Sequence, residues 1–161
     1  MDTLALASLH KHFLAADAIK QLLFVDIPIA TKDAGLRADL LEAGQYFSRV
    51  LRLQVFYGLL YVVVDGYSEL GCQDRDVDEL LTNADFVNAL RRFRNATFHY
   101  QEDPFSEKLL DFIAAKGSDD WSRNVYHALD RFFTSQLRLE KNLDALASIS
   151  LAPSHLRGNV K

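Results

Sequence analysis

Apolar residues recur every three or four positions along most of this chain, and that spacing predicts helices. From Asp2 or Thr3 to about Val25, Leu6, Leu9, Phe13, Ala16, Ile19, Leu22 and Leu23 form one stripe of an amphipathic helix. Pro28, in "DIPIATKD" (26–33), removes a donor and pushes the residue before it out of helical geometry, which stops the helix. Asp33 can cap a second, long helix from about Ala34 to Glu69. Gly44 and Gly58 lie inside it. Each costs a helix roughly 1 kcal/mol relative to alanine, so either marks a close helix approach or a kink.

The stretch from 64 to 83, "VDGYSELGCQDRDVDELLTN", reads as a fraying helix end, a loop and one or two short helical turns. A further helix spans about Asp85 to Tyr100, capped by Asn83 or Asp85. "QEDP" ends it, and Pro104 opens the helix that runs to about Ala115. After the "KGSDD" turn, Ser118 caps a last long helix, with Asp119 and Asp120 at its positive end. That helix carries Trp121, Val125, Leu129, Phe132, Phe133, Leu137, Leu139 and Leu143 and ends near Ser148. The pattern predicts an all-α fold, an up-down helical bundle of four main helices plus one or two short ones. It forms a single domain over 1–148, with a loosely ordered C-terminal tail over 149–161.

Composition supports this reading. With 161 residues the chain can bury a core without disulfides or metal, and 3 Pro and 7 Gly leave little turn material. The formal net charge of -4 argues against a protein that coats nucleic acid through a broad basic surface, although a local basic site fits. One cysteine, Cys72, excludes an internal disulfide and reads as structural. The first residues, "MDTLALASLHKHF", lack a secretory pattern, and the most apolar stretch, "VFYGLLYVVV" (55–64), falls well short of the roughly 20 residues of a transmembrane helix. The expectation is a cytoplasmic protein with no membrane association.

Against this acidic background, "RRFRNATFHY" (91–100) gathers three arginines, an asparagine and a histidine. At 100° per residue, Phe86, Leu90, Phe93, Thr97 and Tyr100 fall within about 80° and form the core stripe. Arg94 lies on its flank beside Val87 and Phe98. Asn95 and His99 share a face with Asn88 and Arg92. Arg94 and His99 lie about 140° apart, so on a rigid helix they do not converge. They can meet if the helix unwinds at His99 before Pro104, or if a second subunit completes the site. Polar residues opposite a core stripe are usually just solvated; the concentration of arginine with a histidine, flanked by Phe98 and Tyr100, points beyond that.

"RNATFH" (94–99) resembles the Arg-x4-6-His signature of HEPN domains, with a polar residue directly after the arginine and four residues between Arg94 and His99. HEPN domains are helical bundles of about this size with the motif late in the third major helix, so the likeness extends to architecture. The resemblance implies a metal-independent endoribonuclease, of a kind found in toxin–antitoxin, phage-defence and RNA-processing systems, that dimerises so that two motifs line one cleft. Its catalytic residues would be Arg94, Asn95 and His99. His99 would be the acid/base group, since histidine titrates near neutrality. Arg94 would bind the phosphate, and Asn95 would orient His99 or the phosphate. Arg91, Arg92 and Tyr100 would help bind the substrate. The implied partners are a second copy of the chain, RNA, and an antitoxin or regulatory protein; no cofactor is implied. In some HEPN toxins the motif continues His-x-Tyr with a modified tyrosine. Here Tyr100 follows His99 directly and position 101 is Gln, so that regulation is not carried over.

The other constellations read more plainly. His10 and His12 are two apart and face different ways on a helix, which argues against a metal site there, and His127 reads as a structural histidine. No spacing resembles a zinc or di-iron site, and no Gly-rich phosphate loop is present. A phosphotransfer histidine is disfavoured because Glu102 and Asp103 follow His99 where such proteins carry Lys and Gly. The serious alternative is a non-catalytic helical module of the same fold, used for homodimerisation and for binding a protein or nucleotide.

Overall fold

The computed structural model describes residues 3–26, 38–103 and 106–137. Six helices follow in order: α1 (Thr3–Gln21), α2 (Ala38–Glu69), α3 (Arg75–Leu81), α4 (Ala84–Phe98), α5 (Glu107–Ala114) and α6 (Ser118–Gln136). No strand occurs among the described residues. The described residues therefore form an all-α bundle of four long helices and two short ones. The expected Pro28 break, Asp33 cap and Pro104 start, the end of the last helix near Ser148 and the tail over 149–161 lie outside the described residues.

α2 packs against both α1 and α4; α5 lies on α4, and α3 and α5 meet α6. The stripes expected from periodicity meet in the middle. Phe93, Phe112, Phe132 and Phe133 are fully buried with Leu60, Leu90 and Leu129. Aromatic rings link the layers, Tyr57 standing edge-on to both Phe93 and Phe112, and Phe13 packing on Phe133 and Tyr126. His10 joins this stack, its ring 5.0 Å from that of Phe133. Burial there pulls its pKa below the ordinary histidine value, against the opposing pull of Asp130.

Several ends differ from the sequence expectation for tertiary reasons. α1 stops at Gln21, not near Val25, and its chain tightens through bonds from Leu22 N to Ile19 O and from Leu23 N to Lys20 O. The buried Arg52 of α2 donates to the carbonyls of Leu22 and Val25, a cation placed at the negative end of α1. The C-terminal part of α2 does not fray. Val63, Val64 and Tyr67 are buried, and the Tyr67 hydroxyl donates to Asp78 of α3 at 2.8 Å. Gly71, at φ +61°, turns the chain after α2, and Asp74 caps α3 by accepting from Asp76 N and Val77 N. Cys72 is buried there, which pushes its thiol up and suits a structural role. α6 is capped by Gly117, not by Ser118. Gly117 takes φ +88°, and the buried Ser118 becomes the first helical residue.

Two glycines of α2 mark close approaches. A Cβ on Gly66 would meet Leu9 Cδ1 at 2.5 Å, and one on Gly58 would meet the Phe98 ring at 2.7 Å. The neighbours differ in freedom: Leu9 is buried, whereas Phe98 is exposed. Gly66→Ala should destabilise the fold by about 1–3 kcal/mol, because overpacking against a fixed core residue exceeds the roughly 1 kcal/mol gain in helix propensity. Gly58→Ala should stay within about 1 kcal/mol of the parent while swinging Phe98 outward. Urea unfolding of both variants checks the pair; equal destabilisation would mean that Phe98 is as fixed as Leu9.

Candidate functional site

α4 carries the motif. Asn83 opens the helix, its side chain accepting from Phe86 N at 3.2 Å, so Asn83 and not Asp85 is the cap. Ala89, Leu90, Phe93 and Ala96 form the buried face against α2 and α5. The helix ends at Phe98, two residues before the expected end. His99 is its C-cap, with extended backbone (φ -115°, ψ 144°), and its N–H donates to Asn95 O at 3.1 Å. The Gln101 side-chain amide closes the same corner by donating to the carbonyls of His99 (3.1 Å) and Tyr100 (2.9 Å). Tyr100 therefore leaves the core stripe that periodicity assigned it and stands 89% exposed.

The cationic side chains divide between two sides of α4. Arg91 and Arg92 are exposed and line an open groove of about 530 Å³ shared with Asp85, Asn88 and Asp111. Arg92 reaches Asp111 of α5 at 3.5 Å. Arg94 points the other way, toward α2. Its Nη2 lies 3.4 Å from Asp65 Oδ2, and its guanidinium carbon sits 5.1 Å from the centre of the Tyr61 ring. Tyr61 in turn donates its hydroxyl to Asp65 Oδ1 at 3.2 Å. Burial, then the adjacent Asp65 carboxylate, holds the Tyr61 hydroxyl protonated above its usual range. Arg94 is thus fixed by a carboxylate and an aromatic face, while its buried Nε keeps an unpaired donor.

No hydrogen bond joins Arg94 to His99. Asn95 is half-buried between them on the helix, while His99 and Tyr100 are exposed beyond its end. The helix does unwind at His99, one of the two conditions that the angular reading set for convergence. Within one chain the motif thus supplies a fixed guanidinium and, a turn further on, an exposed imidazole in extended backbone.

The fold adds three side chains that the motif does not contain. Tyr61 and Asp65 hold Arg94, and His12 of α1 lines the same groove of about 370 Å³ as Arg94, with Ser8, Asp65 and Glu69. Asp65 had a readable signal: it follows three valines in the most apolar part of the chain, where a charge needs a partner. Its partner, 29 positions away, was not readable. The two histidines of α1 do face apart, His10 into the aromatic stack and His12 into this groove. Among the described residues no group of three or more His, Cys, Asp or Glu side chains is placed to hold a metal ion. No protein-family model matches the chain, and no curated protein or solved structure does either.

Proposed function

We propose that this protein is a metal-independent, HEPN-like endoribonuclease that works as a cytoplasmic homodimer, two α4 ends facing one cleft. The observation that carries the reading is the end of α4: His99 is exposed in extended backbone directly after a helix that presents Arg94 and Asn95. In the reaction His99 takes the proton from an RNA 2′-hydroxyl, whose oxygen attacks the adjacent phosphorus. The bond from phosphorus to the 5′-oxygen breaks, and that oxygen is protonated by the second acid/base group of the dimer, the other copy's imidazole. The products are a 2′,3′-cyclic phosphate and a 5′-hydroxyl. Arg94 offsets the charge gathering on the phosphate oxygens, and Asn95 orients the imidazole or the phosphate. Arg91 and Arg92 hold the backbone on either side, and Tyr100 offers an exposed ring to a base.

α2 is long and apolar enough between Leu40 and Glu69 to cross a membrane. Its packing against α1 and α4, with Leu60, Val63 and Tyr67 buried, supports a core helix instead.

A second reading is favoured by the state of Arg94. A guanidinium already neutralised by Asp65 and laid over Tyr61 has a structural occupation, as expected of a bundle that binds a partner without chemistry. The deciding experiment incubates the protein with structured and single-stranded RNA in EDTA and identifies product ends by mass. Cyclic phosphates that disappear in both His99→Ala and Arg94→Ala support the nuclease. Cleavage that survives His99→Ala removes the motif from the mechanism, and no cleavage of any RNA shifts the reading to the binding module.

A further inference from the structure

A pocket of about 340 Å³ opens beside the end of the motif helix, lined by α2, α4, residues 101 and 103, and α5. Its walls are mostly apolar: Val50, Leu51, Ala96 and the buried Leu109, with the exposed rings of Tyr46 and Phe47. Its polar edge is made of Gln54, Gln101 and Asp103. None of these lining residues is cationic, so the pocket is not built for a phosphate. Gln101 links it to the motif, since the same amide donates to the carbonyl of His99.

We infer that this pocket receives one nucleobase of the RNA strand and sets the base preference of cleavage, an inference that rests on the ribonuclease reading above. The size and apolar lining suit one ring system, and the Tyr46 and Phe47 rings offer faces on which a base can stack. The Gln101 amide hydrogens are held by the His99 and Tyr100 carbonyls, so Gln101 offers its carbonyl oxygen. With the Asp103 carboxylate and the Gln54 amide this makes a mostly accepting edge, which suits a base edge carrying an exocyclic amine. Adenine, guanine and cytosine present such an amine. Uracil lacks the exocyclic amine and presents a single donor, N3–H, between two carbonyl oxygens that the accepting edge disfavours. The division of labour is then spatial: arginines and His99 handle the backbone, and the adjoining pocket reads a base.

The test titrates adenosine, guanosine, cytidine and uridine separately into isotopically labelled protein and follows the Ala96 and Leu109 methyl signals and the Gln54 side-chain amide. A trinucleotide arm distinguishes a base within a strand from a free nucleoside. The expected result is saturable shifts with the three amine-bearing nucleosides and weaker binding of uridine. Phe47→Ala should weaken binding about fivefold or more, and Gln54→Leu should narrow the gap between cytidine and uridine. Phe47 is exposed, so its removal leaves the core intact. Absence of saturable shifts with any nucleoside or with the trinucleotide, or identical shifts from ribose 5-phosphate, overturns the pocket assignment. RNA cleavage without nucleoside binding sinks the pocket and leaves the nuclease standing. Nucleoside binding without cleavage keeps the base-binding pocket but overturns both the nuclease and the pocket's role in cleavage.

Discussion

Replacing His99 by alanine should slow RNA cleavage about 10²- to 10⁴-fold, the range typical of a lost acid/base group, while leaving the thermal midpoint of the protein unchanged. The second half follows from the position of the residue. His99 is exposed, and its structural contribution is a backbone N–H donated to Asn95 O, which alanine keeps. Arg94→Ala should be equally poor in cleavage but different in stability. It strips a partner from Asp65 and a cation from the face of Tyr61. The Arg94 and Asp65 side chains keep 28% and 40% of their exposure, so water screens the pair and the loss should stay near 1 kcal/mol or below. Measuring cleavage rate and unfolding together separates the two roles. A His99→Ala variant that cleaves normally would sink the assignment, and one that also melts early would show His99 to be structural.

The largest effect on stability should come from the buried face of the same helix. Phe93 is fully buried and packs between two rings, each 5.6 Å away centre to centre, Tyr57 of α2 and Phe112 of α5. Phe93→Ala removes a side chain that joins three helices, and neighbours from three directions cannot all collapse into the space. The cost should be about 3–5 kcal/mol. For a chain of this length that lowers the midpoint by roughly 6–20 °C. Natural domains are stable by only about 5–15 kcal/mol, so a parent near the low end of that range leaves the variant partly unfolded at 37 °C. Calorimetry against the parent checks this; a loss below about 1 kcal/mol would mean that the core at this point is not packed as described. Phe93 lies one residue before Arg94, so reduced cleavage in this variant would have to be corrected for the unfolded fraction.

The interior of each element was legible in the sequence, because a stripe of apolar residues repeats every turn and one stripe predicts one face. Leu6, Leu9, Phe13 and Ala16 on α1, and Leu90 and Phe93 on α4, lie where periodicity puts them. The ends were less legible, because they depend on distant groups. α1 stops where Arg52, some thirty positions away, collects its carbonyls. Periodicity places Tyr100 in the core only when 100° steps run past Phe98, beyond the point where the backbone leaves the helix. The approach of Leu9 to Gly66 is tertiary and leaves no local mark in the sequence. For the site, the sequence reading singled out Arg94, Asn95 and His99, and the structure adds what surrounds them. It could not show that Arg91 and Arg92 face one groove while Arg94 faces another, or that Tyr61 and Asp65 already hold Arg94, since these depend on which helix lies beside which face.

The pairing of Arg94 with Asp65 also bears on how binding responds to ionic strength. When a free cation neutralises a phosphate, the nucleic acid sheds a condensed counterion, and single-strand affinity falls with a slope of about 0.7 per contact on logarithmic axes. Arg94 has to leave a carboxylate to reach a phosphate, and the Asp65 it leaves behind gathers a cation in its place. The exchange returns little net salt to the solution. Arg91, which has no carboxylate partner among the described residues, has no such debt. Arg91→Ala should therefore flatten the salt dependence of RNA binding by about 0.7, whereas Arg94→Ala should weaken binding with the slope nearly unchanged. Two arginines three positions apart on one helix would then differ in what they contribute: one the ionic-strength dependence, the other the orientation of the phosphate.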